Sequence, residues 1–127
     1  METAYRRVRG NELDALLDLH KHLFDTDDPL PDASRVQQVW QEIIGDPKIH
    51  YLVAEAENKI VAACILVVIP NLTRGTHPYG LIENVVTHAD YRKRGIGNGL
   101  MKYAQQIAWE NGCYKVMLAT GRQQDGI

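Results

Sequence analysis

The run His88-Ala89-Asp90-Tyr91-Arg92-Lys93-Arg94-Gly95-Ile96-Gly97-Asn98-Gly99-Leu100 constrains the fold more than any other part of the chain. It sets a cluster of cations and spaced glycines between an apolar segment and an amphipathic one. Upstream, Tyr79 to Thr87 reads as a strand. Downstream, Leu100, Met101, Ala104, Ile107 and Ala108 recur at helical spacing. Glycine lacks a Cβ, so a backbone built on it turns sharply and brings its N–H groups close to an anion. A helix start adds unsatisfied donors and a partial positive charge. Strand, glycine loop and helix in this order carry the chemistry of a pyrophosphate cradle, against the simpler alternative of a basic loop capped by a helix.

Other phosphate loops fail on the same residues. A P-loop needs Gly-Lys followed by Ser or Thr, and no such triplet follows these glycines. A dinucleotide fingerprint begun at Gly95 places its third glycine at Leu100, and its acidic ribose ligand falls among Val116, Met117, Leu118 and Ala119. The pattern that fits is Arg-x-x-Gly-x-Gly at Arg92, Gly95 and Gly97, with basic residues at both positions between Arg92 and Gly95. This is similar to the acetyl-coenzyme A signature of the GCN5-related N-acetyltransferase superfamily. Leu81 to Thr87 resembles that family's fourth strand, and Asn111 to Leu118 its fifth.

The resemblance implies an α/β domain of the α+β type, with a mixed, mainly antiparallel sheet flanked by helices. It implies acetyl-coenzyme A as cofactor, with Arg94, Gly95, Ile96, Gly97, Asn98 and Gly99 donating backbone N–H groups to the pyrophosphate while Arg92 and Lys93 hold its charge. The family's fourth strand bulges at the positions of Val85 and Val86, so the main chains of Val85, Val86 and Thr87 would bind the thioester and pantetheine like an added strand. Family domains continue past the fifth strand, so residues 1–127 resemble a single domain short at its C-terminus.

Acetyl transfer itself dictates the remaining chemistry. An amine with a pKa of about 10 is protonated at neutral pH and needs a base before it can attack a thioester. Glu83, a carboxylate within an apolar strand, is the candidate, since desolvation there would raise its pKa; the plain alternative is an exposed glutamate at a sheet edge. In many family members a tyrosine from a later helix protonates the leaving thiolate, but here only Tyr79, Tyr103 and Tyr114 are local. His77 and His88 flank the strand, and His20 and His22, two apart on a helix, cannot face one ligand together. The acidic loop with Asp25, Asp27, Asp28 and Asp32 lies where the family borders its acceptor pocket. Its charge favours a cationic small-molecule amine or a lysine-like acceptor, although Asp and Pro also serve turns. The Gly-Cys-Tyr-Lys segment resembles glucosamine-phosphate acetyltransferases, whose anionic acceptor would suit Arg74 and Lys115 better. Two functions follow: an active N-acetyltransferase, or a coenzyme A-binding module that holds the cofactor without turnover.

At 127 residues, 45% hydrophobic and 24% charged, the chain suits one globular domain. A net charge of −2 with locally clustered cations argues against a nucleic-acid binder. The apolar run Ile60 to Ile69 is half a membrane span, and no apolar leader follows the first residues, so a cytoplasmic protein with no membrane partner is expected. Cys64 and Cys113 form no metal-binding pair and read as core. Along the chain we expect a strand over Ala4 to Arg9, then a helix capped by Asn11 with Leu13, Leu16, Leu17, His20, Leu23 and Phe24 as its stripe. A second helix follows, with Ser34 and Gln37 as a capping box and Gly45 at its end. Ile49 to Glu55 and Lys59 to Ile69 form a hairpin about Glu57-Asn58. The fifth strand, from Cys113 to Thr120, would expose an edge and an apolar face that favour a homo-oligomer.

Overall fold

Apolar alternation produces four strands that pair antiparallel in succession: β1 (Thr3–Arg7), β2 (Ile49–Ala56), β3 (Lys59–Ile69) and β4 (Tyr79–Thr87). A short β5 (Val116–Leu118) joins β4 in parallel, so the sheet is mixed and mainly antiparallel. The computed structural model describes residues 2–24 and 27–119. The β2–β3 hairpin turns at Glu57 and Asn58, both with positive φ (52° and 64°), as a tight two-residue turn with right-handed strand twist requires.

Among the described residues three α-helices cover the sheet. α1 (Leu13–His20) and α2 (Ala33–Gly45) pack on one face and α3 (Ile96–Glu110) on the other. Strand alternation therefore makes two cores. Leu52, Ala54, Cys64, Leu66 and Ile82 meet Leu100 and Ala104 on the α3 side. Tyr51, Val53, Ala63 and Val86 meet Leu16, Leu19 and Trp40 on the other. Trp40 satisfies its indole N–H on the Gly10 carbonyl at 2.9 Å, which lets the large ring be buried without an orphaned donor. Cys64 and Cys113 are buried and unpaired, and burial pushes the Cys64 thiol up to about 12.

Local boundaries depart from the sequence reading for identifiable reasons. Asn11 does not cap α1. Glu12 flanks the helix instead, its carboxylate drawn to Arg6 at 2.8 and 2.9 Å and accepting the Arg9 N–H at 2.7 Å. Arg6 also reaches Glu55 at 2.9 Å, so one guanidinium ties β1, the start of α1 and β2. The same guanidinium holds the Glu12 carboxyl below its ordinary range. α1 ends at His20 because the next turn tightens into i→i+3 bonds, leaving Phe24 40% exposed. α2 begins at Ala33, and Ser34 donates to Asp32 Oδ2 at 2.8 Å rather than forming a capping box. The fifth strand is shorter than expected, and Thr120 and the tail beyond it lie outside the described residues.

Candidate active site

The site begins with an irregularity in β4. Ala63 pairs with Val86 but Ile65 pairs with Glu83, so Cys64 opposes two residues, Asn84 and Val85. The extra residue is Asn84, at φ 53°, a left-handed conformation that asparagine tolerates better than a branched side chain does. The bulge thus falls one residue earlier than the Val85–Val86 position expected from the family resemblance. At nearly the same level β4 parts from β5. The Ala119 N–H bonds the Ile82 carbonyl at 2.9 Å, and past that point no described residue pairs with β4 on this side.

Backbone alternation decides which groups face the opening. The His88 N–H donates to the Val61 carbonyl at 2.8 Å, so Val86, two residues earlier, also directs its backbone to β3. Val85 and Thr87 direct theirs the other way. Val86 is therefore withdrawn from the main-chain binding set, and its side chain belongs to the α1–α2 core. The Thr87 carbonyl is already occupied: Arg92 Nε donates to it at 3.1 Å, and Arg92 Nη2 donates to the His22 carbonyl at 2.9 Å. Arg92 is thus a clamp between β4 and the turn after α1, and its guanidinium is committed to two carbonyls rather than held out for a phosphate.

The cradle follows. Lys93 (φ 64°) and Gly95 (φ 80°) turn the chain through left-handed geometry into α3, whose first-turn N–H groups at Ile96, Gly97 and Asn98 have no intrahelical acceptor. These donors, with the helix dipole behind them, fit a pyrophosphate. Gly99 is different. Its N–H already bonds the Gly95 carbonyl at 3.0 Å, and a Cβ there would stand 1.9 Å from Tyr5 Oη. Gly99 therefore serves the packing of α3 on β1, which removes it from the donor set. Tyr5 in turn stacks on Tyr103, with ring centroids 6.2 Å apart.

Glu83 is exposed, so the desolvation expected of a carboxylate within an apolar strand is absent in the chain itself. Glu83 pairs with Ile65 and Ile65 with Tyr51, which sets these three in a row on the α1–α2 face. Beside that row lies a trough of about 340 Å³ between α1, α2 and the sheet. Helix residues Leu17, Val36, Val39 and Ile43 contribute to its walls, and Tyr51, Ile65 and Asn84 supply the sheet side. Tyr51 Oη and His20 Nε2 lie 2.7 Å apart within it. Burial raises the Tyr51 phenol above its ordinary range and lowers the His20 imidazole below its own. Asp27 acts on His20 in the opposite sense, as the smaller influence.

A second depression, about 550 Å³, adjoins the trough, sharing Leu17, His20 and Leu30, and includes Asp14, Asp18, Asp27 and Asp28. Of the acidic loop, Asp27 and Asp28 line this depression, and Asp25 lies outside the described residues. Sequence reasoning missed Asn84, Tyr51 and Trp40 as pocket residues. Of these only Asn84 carried a signal, an asparagine in the middle of a strand.

Other candidates are engaged elsewhere. The His88 ring lies tilted against His22, with centroids 4.1 Å apart, and its Nδ1 accepts the Asp90 N–H, while His77 Nδ1 contacts the Gly112 carbonyl at 3.1 Å. Arg74 lies over the Tyr114 ring, and Lys115 over both Tyr79 and Tyr114, at the end of β4 away from the bulge. Among the described residues no helix is long and apolar enough to cross a membrane.

Comparison with known proteins agrees with this architecture. Residues 13–126 match the family described as Acetyltransferase (GNAT) family. A solved structure from Agrobacterium tumefaciens str. C58, provisionally named an acetyltransferase, is 36% identical with a TM-score of 0.86, covering 95% of this chain and 83% of that one. Glucosamine-6-phosphate N-acetyltransferase from Arabidopsis thaliana shares the fold at 21% identity and a TM-score of 0.82, covering 94% of this chain and 82% of that one. Glucosamine 6-phosphate N-acetyltransferase of Trypanosoma brucei brucei is 40% identical over 60 residues, 47% of this chain and 41% of that protein. The matched stretch therefore spans less than half of the trypanosome enzyme.

Proposed function

Because the chain belongs to the GNAT acetyltransferase family, we propose that it moves an acetyl group from acetyl-coenzyme A to a primary amine by direct attack, with both reactants bound at once. The observation that carries this reading is the parting of β4 from β5 at a bulge, beside the unsatisfied first-turn donors of α3. Acetyl-coenzyme A supplies the activated acetyl group as a thioester. Lys93, Arg94, Gly95, Ile96, Gly97 and Asn98 hold its pyrophosphate, and the backbones of Val85 and Thr87 line its pantetheine arm.

Glu83 takes the proton of the attacking amine. Reactants bound over it supply the desolvation that the exposed side chain otherwise lacks. The Val85 N–H, released from the sheet by the bulge, donates to the developing oxyanion. Asp27 and Asp28 draw a cationic amine to the site. A cytoplasmic setting belongs to this reading, and the two unpaired buried thiols suit it.

Replacing Glu83 by Gln should lower kcat by about 10²-fold, the usual scale for losing a general base. Calorimetric affinity for coenzyme A should change little. The assay is thiol release over a panel of primary amines, and an unchanged kcat removes Glu83 from the mechanism. A second reading, cofactor binding without turnover, is favoured by one observation: Tyr79, Tyr103 and Tyr114 are each packed on other groups, so none is poised to protonate the thiolate. Tight coenzyme A binding with no thiol release from any amine selects that reading.

A further inference from the structure

We propose that the acceptor is an amphipathic primary amine whose apolar body seats in the trough between α1, α2 and the sheet. This rests on the acetyl-transfer reading and adds the substrate class. A volume of about 340 Å³ lies within the range of small-molecule sites. Leu17, Val36, Val39, Ile43 and Ile65 line the space, with Trp40 and Tyr51 as its aromatic surfaces.

The polar groups are few and mostly spoken for. Tyr51 Oη is paired with His20, and Arg35 Nη1 donates to Gln38 Oε1 at 3.1 Å. Sugar hydroxyls placed here would lose water without gaining partners, which is costly. A phosphate would also stand beside the depression carrying Asp14, Asp18, Asp27 and Asp28. Arg74 and Lys115 lie at the far end of β4, Lys21 of the depression is paired with Asp18 at 3.1 Å, and Arg35 at the trough donates to Gln38.

A cationic amine meets the opposite conditions. The acidic depression adjoins the trough at Leu17, His20 and Leu30, and with Lys21 paired to Asp18 its remaining carboxylates Asp14, Asp27 and Asp28 favour a cation beside the trough. The trough then reaches β4 at Asn84, where Glu83 stands in register with Ile65. An apolar body in the trough would leave its amino group at this polar end, next to the base.

The test uses the full chain and straight-chain amines from propylamine to hexylamine, with glucosamine 6-phosphate as competitor class. We expect kcat/KM to rise about fourfold per methylene, the scale of burying one CH₂ group, and hexylamine to exceed the sugar phosphate. Leu30→Asp, at a residue 61% exposed and so tolerant of change, should flatten that rise without altering coenzyme A affinity. Equal rates along the series, or preference for the sugar phosphate, overturn the proposal.

Binding is read separately from turnover. In a Trp109→Phe background, bromohexylamine should quench Trp40 fluorescence saturably, and Val36→Asp should abolish the quenching. Saturable quenching with no thiol release leaves the trough assignment standing while the acetyl-transfer reading falls. Turnover with no chain-length dependence and no quenching does the reverse.

Discussion

The cradle and the trough flank the same strand, yet one is made of backbone and the other of side chains. The cradle draws its donors from a single continuous stretch running from the end of β4 into α3, and what matters there is where N–H groups point. The trough gathers residues from α1, the loop after it, α2, β2, β3 and β4, and what matters is the shape they leave between them. A ligand common to many enzymes can be held by a local backbone geometry that few side chains disturb. A ligand peculiar to one enzyme needs surfaces that can vary independently, and separated segments provide them.

The largest effect that could break this contrast lies within the cradle. Gly97→Val should abolish coenzyme A binding in calorimetry while leaving the melting temperature nearly unchanged, because a Cβ at Gly97 meets Thr87 Oγ1 at an ordinary 3.6 Å. Gly99→Val should do the opposite, costing about 1–3 kcal/mol of stability through overpacking against Tyr5 while the remaining donors keep their direction. If both variants lose binding and keep stability, the division between donor glycine and packing glycine is wrong.

A smaller effect sharpens the side-chain half. Burial lowers the His20 and His50 imidazoles below their ordinary range, with Arg7 adding to the shift at His50. The unfolded chain therefore takes up protons first as pH falls below about 6.5, and stability present above that pH is lost beneath it. Thermal melts at about pH 7.5 and about pH 5 should show the loss, and His50→Gln should reduce it. A melting temperature flat across this window would contradict the buried, neutral state of these rings. His50 has a further reason to matter: Arg7 hydrogen-bonds its Nδ1, and its Nε2 is buried with no hydrogen-bond partner among the described residues.

The smallest effect concerns the edge. Met117 and Leu118 are 40% and 58% exposed on β5, the last strand of the sheet. We expect weak self-association across it, seen by light scattering as a mass that rises between micromolar and millimolar concentration and reduced by Leu118→Lys. A constant monomer mass over that range would set it aside.

The order and nature of the elements were legible because local patterns determine them. The Glu57-Asn58 turn, the bounds of β4 and the glycine run leading into α3 all follow from neighbouring residues. What escaped the sequence was produced by partners distant along the chain. Glu12 is drawn from simple capping by Arg6, Gly99 is required by Tyr5, and Arg92 is committed to carbonyls of Thr87 and His22. The exposure of Glu83 escaped as well, since it stands on the face of β4 that α1 and α2 cover only in part. The trough was invisible because no spacing relates Leu17, Val39, Tyr51 and Asn84.

The bulge carries one more consequence, concerning insertions and deletions. Ile82 and Val85 face the α3 core, while Glu83 and Val86 share the other face. With Asn84 struck out, Ile82, Glu83, Val85 and Val86 would still alternate without a break, and each would keep its side of the sheet. Asn84 is thus an extra residue inside an otherwise intact strand, dispensable to the hydrophobic code yet responsible for the irregularity beside Glu83. A single-codon deletion there is the smallest change in this chain that would separate the ability to fold from the ability to open a strand to a ligand.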